Sequence, residues 1–487
     1  MKTVQHVFSV RTYLAGLPTH RSIFIILLLH FFSPTVFANP SFDIQTAKII
    51  IGGGTTPEYR TRPEFRGLLP LGTRRMRLIN IDDNLKAINT EGELIIEWSQ
   101  HLKDGLELCK QNGWIPRLII GHTLPVPLTV AGAGKRRYGP SSWVTYKKYV
   151  NALLVKVIDE WGFKESEWEV GNEMNVPVAN WVAAKLPNDL TDMSGFTAYM
   201  TLYANVAQTV DEFRKKHPNS VIRIGGPAVP GPGYLEKDAA KNWTLRFVDE
   251  VALANLPADF VSIHIYGNNG SGNQTLAALQ SLSNRIILRK RAMIISVSEW
   301  GASWKSDANV NFDPVSGAYV FEFLSVMHQA NISDAIFLAL SEFPDHKWPV
   351  LYARDGSPTH SMKAMQLVSS LSGSQVGCET GLPNVSCVAV KTSKDVINVL
   401  VWYLNWSNSP IDSVQKSYLP MKPTIKITGA EIGSYMGSFA RVTTHSSNLK
   451  CPCDLGGVIA VHPSGVQLPS LSLEPGDYAF LVIPHLQ

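Results

Sequence analysis

Two glutamates follow apolar, strand-like segments directly, and this placement points to chemistry. Glu173 lies in WEVGNEMN (168–175) and Glu299 lies in ISVSEWGAS (295–303). An unpaired carboxylate buried at a strand end is costly, so packing explains it poorly. One such residue could be a salt-bridge partner or part of a helix cap, but two of them, each in its own motif, favour catalysis. Paired carboxylates at the strand ends of an α/β barrel are the groups that hydrolyse glycosidic bonds.

The elements that would position this pair alternate between strand and helix from about residue 47 to 372. Eight apolar or β-rich runs occur at 47–51, 75–81, 115–121, 166–172, 221–226, 259–266, 293–299 and 334–342. Between them, apolar residues recur at helical spacing, as in the stripe from Tyr146 to Trp161 and in the stripe from Phe196 to Phe213. The pattern predicts an α/β fold, a (β/α)₈ TIM barrel. A dinucleotide-binding open sheet is not favoured, because IGGGTTP (51–57) lacks the required glycine spacing.

The pattern of apolar and polar residues changes after about residue 373. Helical stripes end, and short alternating runs separated by Gly, Pro and Ser appear at 395–405, 424–430, 457–461 and 478–483. This pattern predicts an antiparallel β-sandwich. We therefore divide the chain into a signal peptide (1–38), a catalytic barrel (39–372) and a β-sandwich (373–487).

The N-terminus reads as a targeting segment. Basic residues precede the apolar run SIFIILLLHFF (22–32), and small residues follow at Val36 and Ala38. The run is shorter than the roughly 20 residues that span a bilayer, although an uncleaved anchor remains the alternative. The segment predicts a secreted or periplasmic protein with no stable membrane insertion after cleavage.

The composition limits the classes of partner and cofactor that we expect for this chain. The net charge of the 487 residues is +4 and is spread along the chain, so nucleic acid is not expected as a partner. Cys378 and Cys387 could close a disulfide hairpin, while Cys451 and Cys453 leave their pairing open. No motif for a metal or cofactor is present, and two carboxylates need neither. We expect no cofactor and no metal.

The two motifs resemble those of the clan A retaining glycoside hydrolases, and most closely family 39. That family joins a (β/α)₈ barrel to a β-sandwich, with an Asn-Glu pair after the fourth strand and a second Glu after the seventh. Here Asn172-Glu173 and Glu299 match those places. The resemblance implies that Glu173 is the general acid/base and Glu299 the nucleophile, with their carboxyl groups about 5 Å apart.

The resemblance also implies a set of substrate-binding residues. Asn172 would donate to a sugar hydroxyl, Arg77 would keep the nucleophile ionised (Arg74 or Arg75 if the register differs), and His264 and Tyr266 would face the sugar from the sixth strand. Residues expected at the rim of the pocket are His122, Trp300, Trp304 and Trp348.

The motif departs from the family in two respects. The usual W-N-E-P-N is Gly171-Asn172-Glu173-Met174-Asn175, a form also similar to the β-glucuronidase and heparanase-like family. In addition, the eighth strand ends in Ser341-Glu342-Phe343, where many clan members have Trp. These changes leave both carboxylates in place and the identity of the sugar open.

One loop bears on the substrate. The segment 121–142 follows the third strand and carries Lys135, Arg136 and Arg137, so it is either a solvated basic loop or a contact for an acidic polysaccharide.

The sequence thus predicts a secreted retaining glycoside hydrolase acting on an oligo- or polysaccharide. The alternatives are a non-catalytic carbohydrate-binding envelope protein on the same barrel, or a structural protein whose barrel serves as a scaffold. The presence of both glutamates argues against these alternatives.

Overall fold

The computed structural model describes a large part of the chain. The described residues are 49–51, 75–79, 81–129, 140–176, 192–305, 309–332, 334–341, 347–371, 373–382, 384–392, 396–406, 408–411, 421, 425–428, 434–442, 452–462, 465–467, 473 and 476–483. The chain divides into the units Met1–Pro40 and Ser41–Gln487, and every described element belongs to the second. The segment 22–32, Arg74, the basic cluster 135–137, Cys451 and residues 342–343 lie outside the described residues. No described helix has the length and apolar character needed to cross a bilayer.

Eight parallel strands form the barrel. They are β1 (Ile49–Ile51), β2 (Arg75–Leu78), β5 (Ile115–Ile120), β6 (Glu165–Val170), β7 (Val221–Val229), β8 (Phe260–Tyr266), β9 (Ile294–Gly301) and β10 (Asp334–Phe337). Their order is β1-β10-β9-β8-β7-β6-β5-β2, and the two end strands are adjacent. β3 (Leu85–Ile88) and β4 (Leu94–Ile96) form a hairpin, and β11 (Ala339–Ser341) pairs with β12 (Val350–Tyr352).

Helices surround this barrel. They are α1 (Gln100–Asn112), α2 (Trp143–Val155), α3 (Asp192–Lys216), the one-turn α4 (Gly231–Tyr234), α5 (Trp243–Leu253), α6 (Gly272–Leu288), α7 (Pro314–Gln329) and α8 (His360–Ser370). The first predicted apolar stripe is buried in α2 and in the π-helical turn that continues it, except for the half-buried Trp161 that follows, and the second is buried in α3. Burial of one face explains the helical spacing of the apolar residues. The predicted (β/α)₈ barrel is confirmed.

The interior of the barrel holds charges as well as apolar side chains. Arg117 on β5 is fully buried, and its guanidinium contacts Glu167 on β6 at 2.6 Å and Asp334 on β10 at 2.8 Å. Arg75 on β2 contacts the same two carboxylates, at 2.7 and 3.4 Å. Each buried charge is therefore paired, as burial requires. We call these four residues the lower ion cluster.

The C-terminal strands are antiparallel. They are β13 (Ser374–Glu379), β14 (Val385–Lys391), β15 (Ile397–Tyr403), β16 (Lys426–Thr428), β17 (Ser434–Val442), β18 (Pro452–His462), β19 (Gly465–Gln467) and β20 (Tyr478–Ile483). One sheet contains β13-β14-β15-β20-β17-β18, and the other contains β13-β16-β19-β18. The predicted β-sandwich is confirmed, with the addition that its two sheets share a strand at each edge.

The predicted disulfide is also present. Cys378 on β13 is bonded to Cys387 on β14, while Cys109 on α1 is a buried free thiol. The side chain of Cys453 lies outside the described residues.

The sandwich packs on the outer helices of the barrel. Trp402 Nε1 donates to the buried carboxylate of Glu322 on α7 at 3.0 Å, and Trp406 Nε1 donates to the backbone oxygen of Gly270 at 2.7 Å. Both tryptophans are buried, so they serve this docking rather than a sugar. The sandwich thus contacts α7, which follows the seventh barrel strand, and the segment between the sixth barrel strand and α6.

One histidine at this contact predicts a pH effect on stability. His360 Nδ1 lies 3.3 Å from the Tyr478 hydroxyl, and burial, with a smaller effect of Lys363, lowers the pKa of His360 from 6.5 to about 4. Between pH 4 and pH 6.5, the unfolded chain therefore binds a proton at His360 that the folded chain does not bind. The contribution of neutral His360 to the free energy of unfolding is fully present above pH 6.5 and is lost as the pH falls towards 4.

The parent should lose about 3 kcal/mol of unfolding free energy over this window that His360→Gln does not lose. Urea unfolding of both proteins at pH 7 and 4.5 checks this, and equal losses would contradict it.

Candidate active site

A β-bulge aims Glu299 into the barrel. Along β8 and β9 the paired residues are Ile263 with Val297 and then His264 with Glu299, so Ser298 is the extra residue. The extra residue changes the alternation of side chains, as bulges do. Glu299 therefore faces the interior at the carboxyl end of β9, with 8% of its surface exposed.

The same bulge corrects one prediction. Trp300 was expected at the pocket rim, but it is fully buried on the outer side of the barrel. Its ring stacks on Phe323 of α7 at 3.9 Å and meets Phe337 of β10 edge-on. Because Glu299 points inwards, its neighbour must point outwards. Trp300 is a packing residue and does not contact the site.

Three side chains hold the carboxylate of Glu299. Arg77 Nη1 donates to Oε1, the Tyr266 hydroxyl donates to Oε2 at 2.6 Å, and His264 Nδ1 lies 3.3 Å from Oε2. Burial alone would raise the pKa of Glu299, but the charges of His264 and Arg77 and the hydrogen bond from Tyr266 outweigh it. The pKa is held below its usual range. Glu299 is thus an ionised carboxylate at neutral pH.

Tyr266 supplies a testable part of this arrangement. Burial, followed by the nearby Glu299 and Glu173, raises the pKa of Tyr266 well above its usual value, so the hydroxyl keeps its proton. Tyr266→Phe removes one charge-assisted hydrogen bond, which is expected to lower kcat about 10- to 100-fold. Because the ionised form of Glu299 loses a donor, the acidic limb of the pH–rate profile should move to higher pH. An unchanged profile would contradict this role.

Glu173 follows β6 in a strained backbone conformation. Its φ is 52°, in the left-handed region that non-glycine residues rarely adopt. The backbone N–H of Glu173 donates to the carbonyl of Ala228 at 2.8 Å, and Ala228, with φ 53°, is the bulged residue of β7. The Ala228 N–H in turn donates to the Ser262 hydroxyl at 3.0 Å. Backbone strain held by fixed contacts is a feature of functional sites.

The two glutamates meet across the mouth of the barrel. His264 Nδ1 lies 3.1 Å from Glu173 Oε1, so one imidazole nitrogen touches both carboxyl groups. One oxygen of each glutamate and a nitrogen of His264 all lie within 4.8 Å of one another. The side chain of Glu173 is 30% exposed, whereas that of Glu299 is 10% exposed. The carboxyls thus occupy different environments at short range.

This trio could also serve as a donor set for a cation. Among the described residues, Glu173, His264 and Glu299 are close enough together to be considered as such a set. However, Arg77 and Tyr266 already engage both oxygens of Glu299. The expectation that no metal is needed stays a prediction.

Asn172 and His122 also lie at this site. Arg77 Nη2 donates to Asn172 Oδ1 at 2.7 Å, and His122 Nδ1 lies 3.1 Å from the backbone oxygen of Asn172. Arg75 instead belongs to the lower ion cluster, so the guanidinium at the nucleophile is that of Arg77. Trp304 is 52% exposed after β9, and Trp348 is half-buried beyond β11.

The unusual motif residue Gly171 has a structural reason. Its φ is 80°, and a Cβ placed there would lie 2.3 Å from Met174 Cγ. Met174 is fully buried. The methionine therefore fills the space next to residue 171, and the Trp of the usual motif does not fit this backbone.

Glu169 also belongs to the site, although it is not among the residues predicted from the sequence. This residue of β6 is fully buried, and its carboxylate accepts from Arg77 Nε. The available signal was the run Glu165-Ser166-Glu167-Trp168-Glu169, in which every second residue is acidic within a predicted barrel strand. When the repeating charges of such a strand point into the barrel and its other face is also buried, the interior of the barrel is ionic.

Comparisons with known proteins agree with this architecture. The fold is similar to a family 39 glycoside hydrolase from Xanthomonas axonopodis pv. citri, with a TM-score of 0.66 and 17% identity over 92% of this chain and 96% of that chain. It is also similar to a monomeric β-xylosidase from Caulobacter crescentus CB15, with a TM-score of 0.64 and 16% identity over 91% and 97%. A glucosidase from Croceicoccus marinus gives a TM-score of 0.59 and 16% identity over 90% and 96%.

At the level of sequence, no protein-family model and no curated protein matches the chain. The structural likeness shows the fold: the chain has the barrel and sandwich of the family 39 glycoside hydrolases, as the resemblance implied.

Proposed function

We propose that this protein is a retaining glycoside hydrolase. The observation that carries the proposal is the pair Glu173 and Glu299, whose oxygens lie within 4.8 Å of each other in unlike environments. A separation of about 5 Å leaves no room for a water between the carboxyl group and the sugar, which is the geometry of double displacement, whereas inverting enzymes separate the two groups by about 6.5–9.5 Å.

The environments of the two glutamates support a different role for each. Glu299 is ionised and held from both oxygens, so it attacks the anomeric carbon while Glu173 gives its proton to the leaving oxygen. The glycosyl ester on Glu299 then reacts with water, whose proton Glu173 accepts. The C–O bond to Glu299 breaks in this second step, and both glutamates return to their first states. Glu173, the more exposed of the two, is the more accessible to a leaving group and to water.

A binding protein would not need this arrangement. Burying the charge of Glu299 requires Arg77, Tyr266 and His264 around it, and Glu173 is kept in a strained backbone. These features cost free energy, and sugar binding alone gains nothing from them. A catalytic function explains both the buried charge of Glu299 and the strained backbone of Glu173.

Export completes the proposal. The basic and apolar segment before Asn39 is the signal, and the disulfide Cys378–Cys387 suits an oxidising compartment. The substrate is an oligo- or polysaccharide. β-Xylosides and glucosides come first for testing because of the named activities of the similar structures, and acidic glycans come next because of Lys135, Arg136 and Arg137 in the segment 121–142.

Hydrolysis of aryl β-glycosides and of neutral and acidic polysaccharides tests the function, with Glu173→Gln and Glu299→Gln as controls. We expect turnover on at least one sugar that either substitution abolishes. If no glycan is cleaved and all three proteins bind sugar equally, the protein is a carbohydrate-binding protein and the proposal is wrong. If Lys135, Arg136 and Arg137 are replaced by Ala and turnover on acidic glycans is unchanged, that part of the substrate proposal fails.

A further inference from the structure

Each of the three side-chain nitrogens of Arg77 donates to a different residue, and Nη2 also lies 3.5 Å from His264 Nε2. Nη1 donates to the nucleophile Glu299, Nη2 donates to Asn172 at 2.7 Å, and Nε donates to Glu169. The first two partners belong to the proposed reaction. The third lies deeper, on β6, where its side chain is fully enclosed.

The charges around Glu169 explain why it faces Arg77. In the lower ion cluster, Arg75 and Arg117 already contact the carboxylates of Glu167 and Asp334. Glu169 lies two residues after Glu167 on β6, so it is on the same face of the strand, and it contacts Arg77. Arg77 therefore stands between two carboxylates, Glu169 below and Glu299 at the mouth of the barrel.

The geometry of the guanidinium gives this contact a consequence. Its five N–H groups form a rigid planar fork on a long, flexible stem. Once Nε is fixed by a buried acceptor, the plane of the fork is fixed, and both terminal nitrogens point in set directions. Here those directions are the Oε1 of Glu299 and the Oδ1 of Asn172.

We propose that Glu169 is a positioning residue that anchors Arg77, so that one guanidinium aligns the nucleophile and Asn172 at the same time. This inference rests on the proposed function and adds a residue to its machinery. Glu169 does not touch the sugar. It also places a negative charge behind Arg77, which weakens the pull of Arg77 on Glu299.

Two substitutions separate anchoring from charge. Glu169→Leu is similar in size but accepts no hydrogen bond, so Arg77 loses its anchor. Glu169→Gln keeps an oxygen for Nε and loses only the charge. Glu167→Gln is the matched control, because it removes a buried carboxylate from the same face of the same strand without touching Arg77. For each protein, kcat and the acidic limb of kcat/KM against pH are measured on the substrate that the parent cleaves best.

We expect Glu169→Leu to lower kcat about 100-fold, the loss that a displaced catalytic group causes. Its acidic limb should lie at higher pH than that of Glu169→Gln, because both variants lose the charge but only in Glu169→Leu does Glu299 also lose an aligned cation. Glu169→Gln should recover most of kcat, and its acidic limb should move to lower pH by about one unit, because a nearby negative charge is gone. If Glu169→Leu does not fold, the direction of the limb in Glu169→Gln decides.

Two results would overturn the proposal: an acidic limb that stays in place in every foldable Glu169 variant, or a shift of equal size in Glu167→Gln, which would mean a structural role only. Failure of the proposed function looks different, since the parent would then cleave no glycoside. In that case crystal structures of the parent and Glu169→Leu decide the anchoring, and unchanged contacts of Arg77 with Glu299 and Asn172 would refute it.

Discussion

Glu299→Gln is expected to lower kcat by more than about 10⁴-fold, the scale of loss when a nucleophile is removed from a group that acts as a unit. The amide has nearly the shape of the carboxylate but cannot form the glycosyl ester. Arg77 keeps a charged partner in Glu169, so the buried cation is not left alone. We therefore expect the loss in turnover without a loss of the fold.

Steady-state kinetics and thermal unfolding of the same preparations check this expectation. Glu322→Gln is a suitable control, because that carboxylate is also buried but binds Trp402 at the contact between barrel and sandwich. It should leave kcat near that of the parent. If Glu299→Gln retained more than about a tenth of the parent kcat, the nucleophile would have to be another group.

Glu173→Ala is expected to have the second-largest effect, and the effect should depend on the leaving group. General acid catalysis contributes about 10²–10⁴-fold, and we expect a loss in this range for sugars with poor leaving groups. For an activated aryl glycoside the first step needs no proton, so the glycosyl ester should form quickly and then persist. The remaining slow step is attack by water, which has lost its general base.

An added anion tests this explanation. Azide needs no base and fits the space that the carboxylate leaves, so it should react with the ester and restore turnover of the activated substrate. The product would be a glycosyl azide with the configuration of the substrate. Glu299→Gln serves as the comparison, because it forms no ester for azide to attack. Equal loss on good and poor leaving groups, with no effect of azide, would remove Glu173 from the acid/base role.

Much of the fold followed from local patterns. Each of the eight runs identified in the first part of the chain overlaps one strand of the barrel, because buried parallel strands appear in the sequence as apolar runs of limited length. The change to short alternating runs near residue 373 matches the first sandwich strand, which begins at Ser374 after α8 ends at Ser370. Short-range composition sufficed for these features.

The details that depend on register did not follow. Trp300 was expected at the rim because it stands next to Glu299, but a single bulged residue at Ser298 decides which of the two faces the interior. Bulges carry little signal in one sequence, since they are set by pairing with a neighbouring strand. The outward position of Trp300 follows from that pairing.

The ionic interior of the barrel could not be predicted from the sequence, for a related reason. Arg77 lies 222 residues from Glu299 and 92 from Glu169, so no local window contains these contacts. Alternating charges in a strand are usually read as a solvated face, and the strand containing Glu167 and Glu169 has that appearance. Only closure of the barrel shows that this face is enclosed.

The most direct test of the central claim is trapping of the proposed nucleophile. The protein would be incubated with activated 2-deoxy-2-fluoro glycosides of the sugars it cleaves, and the labelled peptide would be identified by mass spectrometry. The double-displacement mechanism predicts one added sugar per chain, carried by Glu299, and no label in Glu299→Gln. A label on another residue, or rapid turnover of the parent glycoside with inverted product and no label at all, would contradict it.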